Sequence, residues 1–394
     1  MLLRVAVLAI TLITALPAPV TGQRAVEDTI LWPLPPDAPR IRYAAVLRNE
    51  RDLGKTRGFL GRMSNALIGT SDGVVGVIRP HDVFVDADGS MYVTNGLSSA
   101  IWVFDPNAKE ARLLQPDGAG TLVKPMGLAG DASGSLLVAD PGARRVVELD
   151  GAGAFVRAYG GETVLLNPVD VALSPRGDRV YVADSYLHQV VIFDRDGALV
   201  SRVGRDEGDI RAKTARRLNA VVAGQEAAAR EGDPTYNHGQ GESNDLVENR
   251  SMEYGQFRYP AFVATAPDGT VYVSDGMNFR VQALAADGTF LRSIGRLGDT
   301  PGSMARPKGI AVDSEGHLYV VDAAFNNVQI FDDEGRLLLA FGAFGAGPGQ
   351  LWMPTGLSID QRDRIFVADR YNNRLQIFEY LADGRSLTQS GTGR

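Results

Sequence analysis

The pattern of apolar and polar positions repeats along most of the chain in units of about 45 residues, each beginning at a proline. The apolar runs within a unit are short, rich in Val, Ile, Tyr and Phe, and separated by turns that contain glycine. Such runs predict β-strands rather than helices. The unit occurs as RPHDVFVDADGSMYVTN at 79, KPMGLAGDASGSLLVAD at 124, NPVDVALSPRGDRVYVAD at 167, YPAFVATAPDGTVYVSD at 259, RPKGIAVDSEGHLYVVD at 306 and MPTGLSIDQRDRIFVAD at 353.

Each unit predicts four antiparallel strands, named a to d. Strand a follows the proline, strand b is a run such as YVAD, strand c is a run such as NVQIF, and strand d is a run such as FLRSIG. The turn from a to b contains glycine in five units and Asp363 in the sixth. Both residue types tolerate the left-handed backbone that tight turns often need. A repeated four-stranded unit of this length is typical of a β-propeller blade.

The two ends of the repeat region predict how the ring closes. The sixth unit has strands a to c but no convincing strand d, whereas RIRYAAVL at 40–47 is a strand without a unit. The expected fold is therefore an all-β, six-bladed propeller of four-stranded antiparallel blades, closed by an N-terminal strand that completes the last blade. The predicted repeats cover residues 80–120, 125–160, 168–204, 260–295, 307–342 and 354–383.

Two long connections interrupt the regular spacing. The first lies between residues 51 and 79 and contains GFLGRMSNALIG, which predicts a short helix. The second is an insertion at 205–256, between blades 3 and 4, whose Ala-rich first part predicts a helix and whose second part is polar. Both connections belong to the face that also carries the start of strand a, the b–c loop and the end of strand d. Long insertions at one rim often shape a binding site.

The N-terminus has the layout of a secretory signal peptide. Arg4 precedes an apolar run at 5–16, which is followed by Pro17, Pro19 and small residues up to Gly22. This run is too short for a typical membrane anchor. We therefore predict a signal peptide at 1–22, a single propeller domain at 23–394 with no transmembrane span, and a periplasmic or secreted protein.

Charge and cysteine content narrow the possible functions. The 394-residue chain has a formal net charge of −7, which argues against a nucleic-acid partner because such proteins need a basic face. There are no cysteines, so disulfides, thiolate metal sites and cysteine nucleophiles are excluded.

The run VADRYNNRLQIF at 367–378, after PTGLSID at 354–360, resembles the NHL repeat. VSDGMNFRVQAL at 273 and VVDAAFNNVQIF at 320 are similar to it. The resemblance, to an exported bacterial type of NHL protein, implies a six-bladed propeller. It does not select a function, since NHL propellers include lyases, RNA-binding modules and protein-binding scaffolds.

Two columns of the repeat supply polar side chains. The residue after the proline varies between units, and we expect it and the next residue to lie at the mouth of the central channel. These two positions give the candidates for a binding site: His81, Asp82, Asp170, Lys308, Met126 and Thr355. The residue that ends strand b is nearly constant, and an Arg follows it five positions later in three units. A structural role, capping loops and pairing charges, is expected for this second column: Asp140, Asp184, Asp275, Asp322, Asp369, Arg145, Arg280 and Arg374.

PHD at 80–82 also resembles a Pro-His motif of the peptidyl-hydroxyglycine amidating lyases, which hold zinc with three histidines from three such positions. Here only His81 occupies one of them, and a catalytic zinc usually needs three protein ligands. Asp82 and Asp170 could begin a calcium site like that of the lactonase propellers, although such a site needs more oxygen ligands. No metal is assigned; calcium and zinc stay open, with less weight.

The leading hypothesis is a binding or scaffold module that takes a protein, peptide or carbohydrate on the insertion-bearing face. The alternative is a hydrolase or lyase with its site at the channel mouth, and no catalytic residue is assigned to it. The ligand, the oligomeric state and the pathway stay open at this point.

Overall fold

Six antiparallel sheets stand around a central axis in the computed structural model, which describes residues 30–34, 36–54, 76–204 and 254–381. The predicted signal peptide, the predicted helix after residue 57 and nearly all of the predicted insertion lie outside these residues. No helix within the described ranges is long and apolar enough to cross a membrane. The all-β, six-bladed propeller is therefore confirmed.

The strands follow the predicted meander, with strand a innermost and strand d outermost. The N-terminal strands are β1 (Leu31–Trp32) and β2 (Ile41–Leu47). Blade 1 contains β3 (Asp82–Val85), β4 (Met91–Thr94), β5 (Ile101–Asp105) and β6 (Glu110–Leu114). Blade 2 contains β7 (Leu128–Gly130), β8 (Leu136–Asp140), β9 (Arg145–Leu149) and β10 (Phe155–Gly160). Blade 3 contains β11 (Pro168–Leu173), β12 (Arg179–Asp184), β13 (Gln189–Asp194) and β14 (Leu199–Gly204).

The second half of the ring repeats this arrangement. Blade 4 contains β15 (Pro260–Thr265), β16 (Val271–Asp275), β17 (Arg280–Leu284) and β18 (Phe290–Ile294). Blade 5 contains β19 (Pro307–Val312), β20 (Leu318–Asp322), β21 (Asn327–Phe331) and β22 (Leu337–Phe341). A small parallel pair, β23 (Ala343–Phe344) and β24 (Gln350–Leu351), precedes blade 6. Blade 6 contains β25 (Leu357–Ile359), β26 (Arg364–Asp369) and β27 (Arg374–Tyr380). Short 3₁₀ turns occur at Glu50–Leu53, Gly118–Gly120 and Gly276–Asn278.

Blade 6 is closed by the N-terminus, as predicted. Strand β2 pairs antiparallel with β27, with Ile41 opposite Tyr380 and Leu47 opposite Leu375. Strand β1 then pairs with β2 and makes this sheet five-stranded, which the sequence did not predict. The innermost strands complete the ring, since β25 of blade 6 contacts β3 of blade 1.

The hydrophobic core is divided into six clusters, one at each interface between neighbouring blades. The cluster between blades 6 and 1, for example, joins Val83 and Phe104 to Phe366 and Leu375. Strands b and c bury both faces because each sheet is packed between two others. The last interface is built like the other five, so the ring has no weak seam in its apolar packing.

The short a–b turns all lie on one face and have the predicted backbone. Their turn residues have positive φ in all six blades, including 57° at Asp363, the one position without glycine. The start of strand a and the b–c loops lie on the other face, and that face positions the candidate site.

Candidate functional site

The residue that follows the repeat proline stands at the start of each innermost strand. In blades 3 and 4 the pairing of strands a and b shifts register at this residue, so it lies outside the regular ladder. The repeat therefore leaves its identity free to vary. We call the ring of these residues the channel mouth: His81, Met126, Val169, Ala261, Lys308 and Thr355.

His81 meets a residue from the far side of the ring. Phe262 belongs to blade 4, which is opposite blade 1 in a ring of six. The two rings stack with their centroids 5.6 Å apart and an angle of 25° between their planes. The side chains therefore meet across the central axis. Nε2 of His81 is buried and has no hydrogen-bond partner among the described residues.

Positive charge surrounds the imidazole. Nη1 of Arg370, in the loop between β26 and β27, lies 3.5 Å from Nδ1 of His81. Burial, followed by the charges of Arg370, Lys308 and Lys124, lowers the pKa of His81 to about 3. The imidazole is therefore neutral at physiological pH, and the lysine and arginine side chains carry the charge of the mouth.

Lys308 and Arg370 are both half-buried cations. Burial, with the charges of Arg306 and Arg370, lowers the pKa of Lys308 to about 8. Burial also lowers the pKa of Arg370. Within the described part of the chain, neither side chain forms an ion pair with a carboxylate. The described part of the mouth thus holds two partly buried cations without a counter-charge.

The other polar candidates hold neighbouring blades together. Oδ2 of Asp82 accepts a hydrogen bond from the Leu128 backbone N–H at 2.8 Å, which joins blade 1 to blade 2. Oδ2 of Asp170 accepts from the Val263 N–H at 2.8 Å and joins blade 3 to blade 4. Oγ1 of Thr355 donates to the Pro80 carbonyl at 3.1 Å and joins blade 6 to blade 1. These three side chains are buried.

Burial also changes the protonation of the two carboxyl groups. It raises the pKa of Asp82 to about 7. It raises the pKa of Asp170 well above its usual value, and the nearby charge of Asp82 adds to the effect. Oδ1 of Asp170 has no hydrogen-bond partner within the described ranges.

Met126, the remaining candidate, is half-buried and packs against the core between blades 3 and 4.

The column that ends strand b caps loops. Asp184 accepts from the backbone N–H groups of Leu166 and Leu187. The other members make equivalent bonds, and each is fully buried: Asp140, Asp275, Asp322 and Asp369.

The three arginines of this column differ in their contacts. Arg280 donates from Nε to Asp275 at 3.0 Å, and Arg374 does the same to Asp369 at 2.7 Å. Arg145 instead donates to the Thr121 carbonyl at 3.0 Å.

Two of the other three histidines are described, and neither belongs to the channel-mouth ring. Nδ1 of His188 accepts from the Tyr259 N–H at 2.9 Å. His317 lies on the opposite face, 2.9 Å from Asp313, and lines a cleft of about 340 Å³ between blades 4 and 5. His238 lies outside the described residues. Among the residues described, no group of three or more His, Cys, Asp or Glu side chains is arranged to hold a metal ion.

Three exposed aromatic residues extend the channel mouth towards the rim. Trp352 stacks on Tyr371 with centroids 5.6 Å apart, and Phe344 meets the edge of Trp352 at 5.9 Å. The guanidinium of Arg79 lies 5.7 Å from the centre of the Tyr371 ring. We call Phe344, Trp352 and Tyr371 the aromatic strip. It adjoins the mouth because Tyr371 follows Arg370 in the same loop.

Comparison with protein families gives three matches to the NHL repeat, at residues 165–193, 304–331 and 351–378. They fall on blades 3, 5 and 6. The chain contains NHL repeats. Of the column that ends strand b and its arginines, Asp184, Asp322, Asp369 and Arg374 fall within the matched residues. No curated protein matches the chain significantly.

Solved structures share this fold at low sequence identity. A protein of unknown function from Bacteroides thetaiotaomicron is 12% identical, with a TM-score of 0.52 over 77% of this chain and 70% of that chain. A streptogramin B lyase structure is 13% identical, with a TM-score of 0.50 over 77% of this chain and 94% of that chain. At these identities the likeness shows the fold alone.

Two residues of the site were not predicted from the sequence as site residues, Arg370 and Phe262. Arg370 directly follows the strand-b Asp, where the other blades have Gly96, Pro141, Ser185, Gly276 and Ala323. Phe262 stands where the other blades have Asp or Gly. In both columns a single large residue departs from a set of small or short ones. This departure from the repeat is the sequence signal by which the two residues could have been found. It identifies side chains that the repeat itself does not require.

Proposed function

We propose that this protein is an exported, bacterial-type NHL-repeat propeller that acts as a binding module. It takes a protein, peptide or carbohydrate ligand at the channel mouth and the adjoining aromatic strip. The predicted insertion is expected on the same face, which supports this face as the binding surface. The predicted signal peptide supports export.

One observation carries this proposal: the residues that depart from the repeat meet at one place. His81, Lys308 and Arg370 come from three blades, and each is large or charged where the repeat does not require it. A scaffold does not need two half-buried cations that lack a counter-charge among the described residues, because such cations cost stability. Such strained electrostatics are typical of functional sites.

The aromatic strip supports a macromolecular or ring-bearing ligand. The three rings are 64%, 43% and 43% exposed for Phe344, Trp352 and Tyr371, although such side chains are usually buried. Exposed aromatic residues beside arginine are the composition of interface hot spots. Arg79 and Arg370 provide that arginine here.

A hydrolase or lyase at the mouth is the second candidate, and Lys308 is the observation in its favour. A lysine with a pKa of about 8 is a usable base at neutral pH. His81, with its pKa of about 3, is a poor one. The enzyme would therefore use Lys308 rather than His81.

The test is a binding screen of the purified mature protein against peptide and glycan arrays. Wild type is expected to select a defined set of ligands, and Trp352→Ala is expected to lose them by about tenfold or more in affinity. Phe155→Ala is the matched control, since Phe155 is an exposed aromatic on the outer strand β10. Equal binding by wild type, Trp352→Ala and Phe155→Ala would contradict the proposed binding face.

Two further readouts separate the alternatives. A ligand recovered unchanged after long incubation supports the binding module, whereas a cleaved ligand supports the hydrolase or lyase. For export, cell fractionation and N-terminal sequencing are expected to give a periplasmic or secreted chain that begins close to residue 23. A cytoplasmic chain that begins at residue 1 would contradict export.

A further inference from the structure

The channel mouth concentrates positive charge in an acidic protein. The chain has a net charge of −7, yet Arg370, Lys308 and Lys124 all act on His81, and Arg306 acts on Lys308. Arg79 acts on Arg370 from the next blade. The charge of the mouth is therefore opposite in sign to that of the whole chain, so it is a local feature with its own cause.

No described carboxylate neutralises this charge. Lys308 and Arg370 form no ion pair within the described ranges, and no carboxylate acts on either of them. Asp82 and Asp170 lie in the neighbouring column but are held by backbone N–H groups of other blades. A half-buried cation is stable only when a counter-charge or a set of acceptors replaces its water. No described carboxylate supplies that replacement, and a bound anion would supply it.

His81 adds a directed donor. Arginine can only donate, so the nitrogen that faces Arg370, Nδ1, is the acceptor of the neutral imidazole. The ring proton then resides on Nε2. That N–H is buried and has no partner in the described part of the chain, which is costly unless a ligand oxygen accepts from it.

We propose that the channel mouth is an anion site, in which Lys308 and Arg370 bind a carboxylate or phosphate group of the ligand and His81 donates to it from Nε2. This inference rests on the proposed function and names the chemistry of its ligand. The guanidinium of Arg370 suits either anion because it can offer two parallel N–H groups. Lys308 contributes a compact charge.

The first test titrates the mature protein with inorganic phosphate and, separately, with acetate, at constant ionic strength set by chloride. Calorimetry or chemical-shift changes measure the dissociation constant. At least one of the two anions is expected to bind, and the stronger one distinguishes a phosphate from a carboxylate ligand. Lys308→Gln and Arg370→Gln are each expected to weaken binding by about tenfold or more, since each removes a charged hydrogen bond.

Arg112→Gln is the matched control, because Arg112 is an exposed cation on the outer strand β6. It is expected to bind the anion like wild type. Binding of neither anion, or equal weakening by Arg112→Gln and Lys308→Gln, overturns the proposal. The circular-dichroism melting curve of each variant shows that a loss of binding is not a loss of folding.

The second test uses pH. Lys308 loses its proton as pH rises through about 8, and a bound anion favours the protonated form. With acetate, whose charge does not change between pH 7 and 10, affinity is therefore expected to fall as pH rises above about 8. Burial also raises the pKa of Asp82 to about 7 and that of Asp170 well above its usual value, so a comparison with Lys308→Arg isolates the contribution of Lys308.

Lys308→Arg keeps the charge and is expected to retain affinity up to about pH 10, which a purely structural role for Lys308 would not produce. A pH-independent wild type between 7 and 10 contradicts the anion site.

The outcomes separate this inference from the proposed function. A neutral ligand that needs Trp352 upholds the binding module and rejects the anion site. Anion binding that needs Lys308, with no ligand selected on the arrays, supports the anion site and rejects the binding module.

Discussion

At the residue scale, the inner ring depends on a few close approaches between backbone atoms and buried carboxyl groups. A Cβ at Gly356 would lie 2.7 Å from the His81 carbonyl oxygen and closer still to Asp82. A Cβ at Gly309 would lie 2.8 Å from the carbonyl carbon of Gly356. Neither glycine has a positive φ, so space rather than backbone freedom requires them. Blade 6 can therefore approach blade 1 this closely because position 356 has no side chain.

Gly356→Ala is predicted to destabilise the protein by about 1–3 kcal/mol, because the inner strands of blades 6 and 1 must move apart. Gly151→Ala is the control, since its nearest contact would be 3.7 Å away and its φ is not positive. Urea unfolding measures both free energies. Equal values for the two variants would show that the close approach is not needed.

Asp82→Asn is predicted to change how stability depends on pH. The folded pKa of about 7 is above the unfolded value of 3.8, so the folded state holds the proton more tightly between these values. The free energy of unfolding of wild type therefore decreases, through Asp82, as pH rises from about 4 to about 7. Asparagine keeps the acceptor for the Leu128 N–H and cannot ionise. The free energy of unfolding of Asp82→Asn, relative to that of wild type, should therefore rise between about pH 4 and pH 7.

Urea unfolding at intervals between pH 4 and 8 checks this prediction. The exposed Asp88→Asn is the control and is expected to show no such rise. A constant difference between wild type and Asp82→Asn over the whole range would contradict the raised pKa.

At the element scale, the N-terminal strand β2 is a full member of blade 6. Ile41 is 0% exposed and lies in the same core cluster as Phe378, Leu351 and Tyr319. Trp32 of β1 adds ring contacts to Phe341 and Phe378, with centroids 5.8 Å away in both cases. The outer edge of β27 is therefore covered, which protects it from pairing with other chains.

Ile41→Ala is predicted to cost about 2–5 kcal/mol, the usual value for a buried Ile in a core. Ile101→Ala is the matched comparison, since Ile101 also is 0% exposed and also begins a strand, in blade 1. Similar losses measured by denaturant unfolding are expected. A much smaller loss at Ile41 would mean that β2 is only loosely attached.

At the scale of the whole molecule, the ring is closed by six apolar interfaces, one between each pair of neighbouring blades. Between blades 2 and 3 the connection from Gly160 to Pro168 contains seven residues, 161–167. Removing residues 206–253 would leave residues 205 and 254–259, also seven, between Gly204 and Pro260. The ring can therefore close without the inserted segment.

Deletion of residues 206–253 is predicted to leave a folded propeller with the strand signal of wild type in circular dichroism and an unfolding midpoint close to it. Array binding by the same variant then reports whether the segment contributes to the ligand site, and a loss is expected. An insoluble or unfolded variant would instead show that the segment is needed by the fold.

The sequence by itself determined the fold and its closure. The proline-led unit, the turn glycines and the orphan strand at 40–47 are local signals, and strand pairing between neighbours in a repeat follows from them. It also gave His81 and Lys308 as variable positions at one end of the ring. The family match covers two of the three runs that resembled the NHL repeat, those in blades 5 and 6; it also covers blade 3 and not the run at 273 in blade 4. The propeller itself is as the residues implied.

Only the tertiary structure decided which polar side chains are used and which remain available. Asp82, Asp170 and Thr355 have the same kind of sequence position as Lys308, yet they bind neighbouring blades. The stacking of His81 on Phe262 joins residues 181 positions apart, from opposite blades. Burial, hydrogen-bond partners and the sum of nearby charges depend on residues from several blades at once. No local pattern along the chain contains that information, which is why the cationic mouth becomes visible only when the ring is closed.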